Sequence, residues 1–325
     1  MSALTFEALR RLADGRFHSG EDIARSLHRS RATLCEALKG APELGVELFS
    51  VPGKGYRLSA PIEFLDAAAI SKRLAAADSR LELQVLDQVD STSSRLLEMA
   101  AQGAASGTCL AAEWQSSGRG RRGRSWISSL GGSLTFSLLW RFERGAGHLG
   151  GLSLAVGEAI ARVLAQGGVS RAQVKWPNDI VSDFRKLAGI LVETSGEMQG
   201  PSVAVIGVGV NYRLDERTLD RIDQAVTDVV QCASVPPTRS ELLAAMLASL
   251  AATLDAFDVH GFAASRDAWR ALHAYQGRAV RVLPARDPPF EAEVVDVAAD
   301  GALVVAMPDG RTVSLASAEI SLRAR

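Results

Sequence analysis

The sequence predicts an α/β (α+β) chain in three parts, and three observations carry that prediction. Residues 4 to 39 show helical periodicity and run into two short strand-like stretches; the middle interleaves helical segments with apolar runs of strand length; the end is a series of short strands cut by turns. At 325 residues and 47% apolar, with a formal net charge of -1, the chain is long enough for two or three cores. No apolar run reaches the length of a bilayer span, and the opening Met-Ser-Ala-Leu-Thr-Phe-Glu lacks the basic and apolar regions of a signal peptide. Cys35, Cys109 and Cys232 are scattered and odd in number, which predicts buried free thiols in a reducing cytoplasm. No Cys/His spacing suits a metal, and the five histidines are isolated.

Leu4, Ala8, Leu9 and Leu12 make one apolar face closed by Asp14-Gly15. Ser19 opens a second helix in a capping-box-like start, with Ile23 and Leu27 inside. Ser30 can cap a third, turning Leu34 and Leu38 inward and Arg31, Thr33 and Glu36 outward. Two strands around Pro52-Gly53-Lys54-Gly55 follow. Helices joined so tightly and followed by a hairpin predict a winged helix-turn-helix over residues 1–62, with Ser30, Arg31, Thr33 and Lys54 as DNA-facing candidates. Nine basic residues against seven acidic over the first sixty give a net of about +2, so one copy should hold DNA weakly. A small helical packing module stays open as the alternative.

Residues 63–274 form the larger α/β region. Asp66 to Ala77 reads as helix, Leu81 to Leu86 as strand, and Ser91 or Thr92 caps a helix through Ala101. Thr108 to Trp114 is strand-like, and Leu134, Phe136, Leu138 and Trp140 alternate with smaller or polar residues. Leu149 to Gln166 is a long apolar helix. Val174 to Asp179 is a strand broken by a turn, and Lys186 begins the strand Arg185 to Glu193. Val203 to Val210 is an apolar run ending at Asn211, an asparagine placed to read the edge of a base. Helices then dominate to Ala274. Over residues 275–325, four short strands split by Pro284 to Pro289, Ala299-Asp-Gly301 and Pro308-Asp-Gly310 predict a small SH3-like β-barrel.

Between the strands at 108 and 134 lies Gly118-Arg-Gly-Arg-Arg-Gly-Arg124, four arginines and three glycines in seven residues. Arginine forks match carboxylate and phosphate, and glycine lets the main chain approach an anion closely. The cations repel one another, so the segment should gain its order from a bound anion. Gly118-x-Gly120-x-x-Gly123 also matches the dinucleotide fingerprint, but a strand follows it, not the helix that a nicotinamide site requires. No Gly-x-x-x-x-Gly-Lys-[Ser/Thr] loop occurs, which argues against a generic NTPase.

Together with Trp126, Lys175-Trp-Pro-Asn-Asp179, Arg185-Lys-Leu-Ala-Gly-Ile-Leu-Val-Glu193 and Gly207-Val-Gly-Val-Asn211, this segment resembles the bifunctional biotin protein ligase and biotin operon repressor family. Val51-Pro-Gly-Lys-Gly-Tyr56 and Glu319-Ile-Ser-Leu-Arg323 extend the resemblance over nearly the whole chain. Lipoate ligases share the catalytic fold but usually carry Arg-Arg before a Gly-Gly-Gly run, which is absent. The resemblance implies a central mixed-sheet catalytic domain of the class II biotin/lipoate ligase type. It also implies a two-step reaction: biotin and MgATP give biotinyl-5'-adenylate and pyrophosphate, and a lysine of the biotin carboxyl carrier protein then attacks the mixed anhydride. By position, Ser91, Thr92, Ser93, Gln115 and Gly118 would bind biotin. Arg119, Gly120 and Arg121 would wrap carboxylate and phosphate, with Lys186 at the reacting carboxyl. Arg124, Trp126, Asn178 and Asn211 would serve the nucleotide. The chemistry then rests on Lys186, Arg121 and Arg119, with no protein-held metal. A homodimer formed on adenylate binding would bind operator DNA. Two departures stand out: Ser93 where an asparagine is usual, and Cys35-Glu36-Ala37 where the third helix is usually more basic and polar. A ligase-inactive DNA-binding biotin sensor and a nicotinamide oxidoreductase remain as alternatives.

Overall fold

The computed structural model describes residues 1–77, 79–196, 200–284, 288–316 and 320–324, the last five by backbone alone. Its first sixty residues are α1 (Ala3–Arg11), α2 (Gly20–Ser26), α3 (Arg31–Leu38) and an antiparallel ribbon of β1 (Leu48–Val51) and β2 (Gly55–Leu58). Serine hydroxyls accept from the first turn of each helix: Ser2 from Thr5, Ser19 from Asp22, Ser30 from Thr33. Phe6, Leu9, Leu12, Leu34, Leu38, Leu44 and Leu58 close a small core. That core also takes in Leu130, whose backbone N–H donates to the Leu44 carbonyl at 2.9 Å. This module is therefore packed onto the central sheet rather than tethered to it.

After α4 (Ala67–Ala76) come β3 (Glu82–Val89), α5 (Thr92–Ala101), β4 (Thr108–Gln115), β5 (Ser133–Phe142), α6 (Leu152–Gln166), β6 (Gln173–Lys175), β7 (Asp179–Ser182), β8 (Arg185–Gly196) and β9 (Ser202–Asn211). The seven strands form one mixed sheet in the order β3-β4-β5-β9-β8-β7-β6, with β3 and β4 parallel and the other pairs antiparallel. Alternate residues of the middle strands point to opposite faces. Leu110, Leu139 and Val205 meet Leu96 of α5, while Cys109, Leu138 and Ile206 join the main core under α6. Because both faces are covered, β5 is buried on both sides and not on alternate residues only.

Short helices α7 (Glu216–Leu219) and α8 (Val229–Cys232) precede α9 (Arg239–His260) and α10 (Arg266–Leu272). The helical segment around α9 is long and apolar enough to cross a membrane, but Leu243, Met246, Leu247, Leu250 and Leu254 are buried in the main core. At its N-terminus Arg239 is fully buried, paired with the equally buried Glu113 at 2.8 Å and donating to the carbonyls of Glu63 and Ser133.

The chain ends in β10 (Ala279–Pro284), β11 (Phe290–Val297), β12 (Leu303–Ala306), β13 (Thr312–Leu315) and β14 (Ile320–Ala324), an antiparallel sheet in the order β13-β12-β11-β10-β14. It has one strand more than the turn pattern predicts, because β14 returns to pair with β10. Residues 285–287 of the expected first turn and Glu319 of the terminal motif lie outside the described residues. The sheet docks on the central domain through Trp176, whose indole N–H donates to the Gly301 carbonyl at 3.0 Å. Of the three thiols expected to be buried, only Cys109 is: Cys35 is exposed on the outer face of α3 and Cys232 is half-buried. The Cys35 error follows from helical phase, since Leu34 and Leu38 take the inward positions.

Candidate active site

A cleft of about 550 Å³ opens on the α5 side of the sheet, and one end of it is floored by hydroxyls. Ser91 caps α5, which puts Thr92 and Ser93 in its first turn, buried against β5. Gln115, the last residue of β4, accepts from both the Thr92 backbone N–H (2.7 Å) and the Thr92 hydroxyl (3.1 Å). A backbone N–H only donates, so the Gln115 oxygen must face Thr92 and its amide nitrogen must face Gly118. The Thr92 and Ser93 hydroxyls both lie beside that of Ser137, at 2.7 and 2.9 Å. Since Thr92 donates to Gln115, Ser137 donates to Thr92 and Ser93 to Ser137. The relay leaves Ser93 with its lone pairs toward the cleft. Gly207 makes room: a Cβ there would stand 2.4 Å from the Ser93 hydroxyl.

The other end is cationic. The Gly118 to Arg124 segment closes on itself, Gly120 N–H donating to the Arg124 carbonyl (2.7 Å) and Trp126 N–H to that of Gly118 (2.8 Å). It turns through Arg122 and Gly123, both at positive φ, and runs on to β5 without a following helix, which removes the dinucleotide reading. The Trp126 ring lies on the glycines of β8 and β9: a Cβ at Gly209 would meet it at 2.4 Å, and one at Gly189 at 3.2 Å. Arg121 donates to the Asn178 side-chain oxygen at 3.1 Å, while the Asn178 amide holds the Ile190 carbonyl at 2.8 Å. Burial first, and then the neighbouring Arg122 charge, lower the pKa of Arg121, so an anion would stabilise its charged form. Lys186 pairs with Asp179 at 2.8 Å and stands 5.9 Å from the Trp126 ring centre. Its backbone is pinned on both sides, its N–H donating to the Ala225 carbonyl and its carbonyl accepting from Thr227.

The fold brings Ser91, Thr92, Ser93, Gln115, Arg119, Gly120, Arg121, Arg124, Trp126, Asn178 and Lys186 around this one cleft. Gly118 lies behind it, where a Cβ would strike the Trp126 carbonyl at 2.5 Å. Asn211 is buried and does not line the cleft; its amide donates to the carbonyls of Lys186 and Thr227. The strand-end asparagine thus ties the start of β8 to the segment at Thr227. Arg119 lines the cleft, its guanidinium spanning the Ser94 hydroxyl and the Glu193 carboxylate. Ser137, Asp179 and Glu193 escaped the sequence reading. Asp179 and Glu193 end the motifs that hold Asn178 and Lys186, which was the available signal; a serine in an apolar strand gives none.

Ser30, Arg31, Thr33 and Lys54 are far off in sequence and all exposed on the first module. A larger cavity, about 820 Å³, separates that module from residues 212–217, but it is lined by none of the candidate side chains.

Residues 85–211 match the biotin/lipoate A/B protein ligase family and residues 275–323 the biotin protein ligase C terminal domain. The bifunctional ligase/repressor BirA of Salmonella typhimurium is 39% identical over 272 residues, covering 84% of this chain and 83% of the relative. The biotin–[acetyl-CoA-carboxylase] ligase of Paracoccus denitrificans is 34% identical over 239 residues, 70% of this chain and 96% of the relative. Among solved structures, the biotin protein ligase from Aquifex aeolicus in complex with biotin and ATP superposes with a TM-score of 0.63 at 26% identity, covering 75% of this chain and 99% of that one.

Proposed function

The chain belongs to the biotin/lipoate A/B protein ligase family, and from that premise we propose that it activates biotin with ATP and transfers it to a lysine of the biotin carboxyl carrier protein of acetyl-CoA carboxylase. The observation that carries this reading is the pairing of polarities in one cleft. At the hydroxyl end, Thr92, Ser93 and Gln115 line the cleft and the relay leaves the Ser93 oxygen as an acceptor. A cyclic urea presents N–H groups, the complement of that acceptor. At the other end Arg121, Arg124 and Lys186 face the place where a carboxylate and a phosphate must meet.

In the first step a carboxylate oxygen attacks the α-phosphorus of ATP and pyrophosphate leaves. Two anions approach each other, so the residues act by neutralising charge and holding the reactants in line. Lys186, held by Asp179 and by backbone bonds on both sides, is positioned for the reacting carboxyl, and Arg121, oriented by Asn178, for the phosphate. The Trp126 face away from Gly189 and Gly209 offers a stacking surface for adenine. Magnesium enters as part of the ATP substrate, carried by its phosphates. In the second step the carrier lysine's amine attacks the acyl carbon, AMP leaves and the amine loses a proton. Incubation with biotin, MgATP and a carrier domain tests the reading: the carrier should gain the mass of one biotinyl group, and an unmodified carrier overturns it.

The repressor half rests on the first module. Its three helices and two-stranded ribbon support reading residues 1–62 as a winged helix-turn-helix, with α3 as the recognition helix. Ser30, Arg31 and Thr33 at the start of α3 and Lys54 in the ribbon turn are its proposed operator contacts. The ligase occupies 63–274 and the five-stranded sheet, read as an SH3-like barrel, 275–325. Among the described residues, β8 beyond Ile190 pairs with β9 alone, which leaves a strand edge for a second copy to pair with, and so a homodimer. Three free cysteines fit a reducing cytoplasm.

A further inference from the structure

We propose that Arg119 and Glu193 form a clasp over the hydroxyl end of the cleft, and that Glu193 is a positioning residue that governs how long the bound ring stays. The inference rests on the biotin reading above and goes beyond it. Arg119 rises from the Gly/Arg segment and crosses from the Ser94 hydroxyl on α5 to the Glu193 carboxylate on β8. Those two anchors sit on either side of the relay floor. Ser94 follows Ser93 in the first turn of α5. Glu193 lies two residues beyond Leu191, so it shares the face that lines the cleft, and Leu191 pairs in register with Gly207, the glycine beneath Ser93. A ligand seated on Ser93 and Gln115 therefore lies under the Arg119 side chain.

The ion pair is suited to opening. Arg119 is 39% and Glu193 27% exposed, so the pair is weak enough to break on the time scale of ligand exchange. One Glu193 oxygen holds Arg119 while the other is buried without a hydrogen-bond partner, so the contact can tighten into the two-point fork that arginine makes with a carboxylate. Filling the cavity beneath removes water from the pair and favours that tightening. The anion-handling groups Arg121 and Lys186 have separate partners, Asn178 and Asp179. Release of the ring and activation of the carboxyl are thus assigned to different residues.

The test is Glu193→Gln, which keeps shape and removes charge, read as the rate at which radiolabelled biotin leaves the full-length protein after a chase. The variant should release biotin about fivefold faster, the scale of one half-exposed ion pair. Its half-saturating biotin concentration for pyrophosphate release should rise, while the rate at saturating biotin changes by less than about twofold. Raising salt should speed release from the unmodified protein more than from Glu193→Gln, where only the pairing of the ligand's carboxylate with Arg121 and Lys186 is left to screen. Arg119→Gln combined with Glu193→Gln should add little to either alone. Equal release rates, or a faster variant with the same salt dependence as the parent, would overturn the clasp. If the unmodified protein retains no biotin at all, the functional reading fails and takes the clasp with it.

Discussion

Lys186 is the residue on which the first step is predicted to turn, and its surroundings say why. It sits only partly exposed, with Asp179 as counter-charge and the backbone of residues 225–227 clamped to its own. A preorganised cation of this kind typically carries on the order of 100-fold in rate. Lys186→Ala should therefore slow pyrophosphate release by about that factor at saturating substrates; a loss smaller than about threefold would reduce Lys186 to a strand-end lysine. His273 makes a different residue-scale prediction. It is buried and stacked on Trp269 with ring centres 4.5 Å apart, and burial lowers its pKa to about 4, with the Gln276 side chain opposing. Because the folded value lies below the ordinary 6.5, the unfolded chain binds the proton more readily, and stability is full above that value and falls as pH drops from 6.5 toward 4. The loss amounts to about 3 kcal/mol as an order of magnitude. Denaturant melts across that window should show the fall, and His273→Phe should flatten it; parallel curves for the two proteins would remove His273 as the cause.

At the scale of elements, the site is a loop seated on two glycine-bearing strands. Trp126 can lie flat on β8 and β9 only because Gly189 and Gly209 have no side chains. A methyl group at Gly209 would press on the indole at 2.4 to 2.8 Å, with sheet backbone behind it and no room to yield. Gly209→Ala should displace the ring, raise the half-saturating MgATP concentration by roughly tenfold and shift tryptophan emission, the energetic equivalent of about 1.4 kcal/mol of nucleotide binding. An unchanged MgATP requirement would mean that the ring is not a nucleotide surface.

At the scale of the whole molecule, the parts are joined by polar chemistry in dry places. Arg239 caps this arrangement: it binds Glu113 of β4 and the Glu63 carbonyl of the segment leaving the first module. Truncating it leaves the buried Glu113 carboxylate without its counter-charge and with only the Leu65 backbone N–H as donor, which costs about 3–5 kcal/mol. Arg239→Ala should lower stability by that amount in denaturant melts, and a loss under about 1 kcal/mol would show that Glu113 finds water instead. Operator binding is predicted to need a ligand-induced dimer, because a module with net charge near +2 makes too few phosphate contacts alone. A ligand that binds the dimer about a hundredfold better shifts assembly by about 2.7 kcal/mol. Sedimentation with and without biotin and MgATP should show the mass double; a constant monomer mass would defeat the coupling, whereas a dimer that gives no gel shift on DNA upstream of the biotin-synthesis genes would remove only the repressor.

Local rules were enough for much of this. Serine caps, the 3.6-residue faces of α1 to α3, the period-two runs of the strands and the Gly/Arg segment are written in residues a few positions apart, so the elements and the chemistry of an anion site could be read in order along the chain. The relay from Gln115 to Ser93 could not, because Ser137 joins it from a strand more than forty residues away, and one serine among apolar neighbours looks like any other. The same holds for Arg119 and Asn211. Sequence supplies their donors, but which carbonyl or carboxylate those donors meet depends on the register of β8 against β9 and on the path of residues 225–227. Hydrogen bonds are short-ranged and directional, so roles that rest on them are decided only when distant strands are brought within about 3 Å.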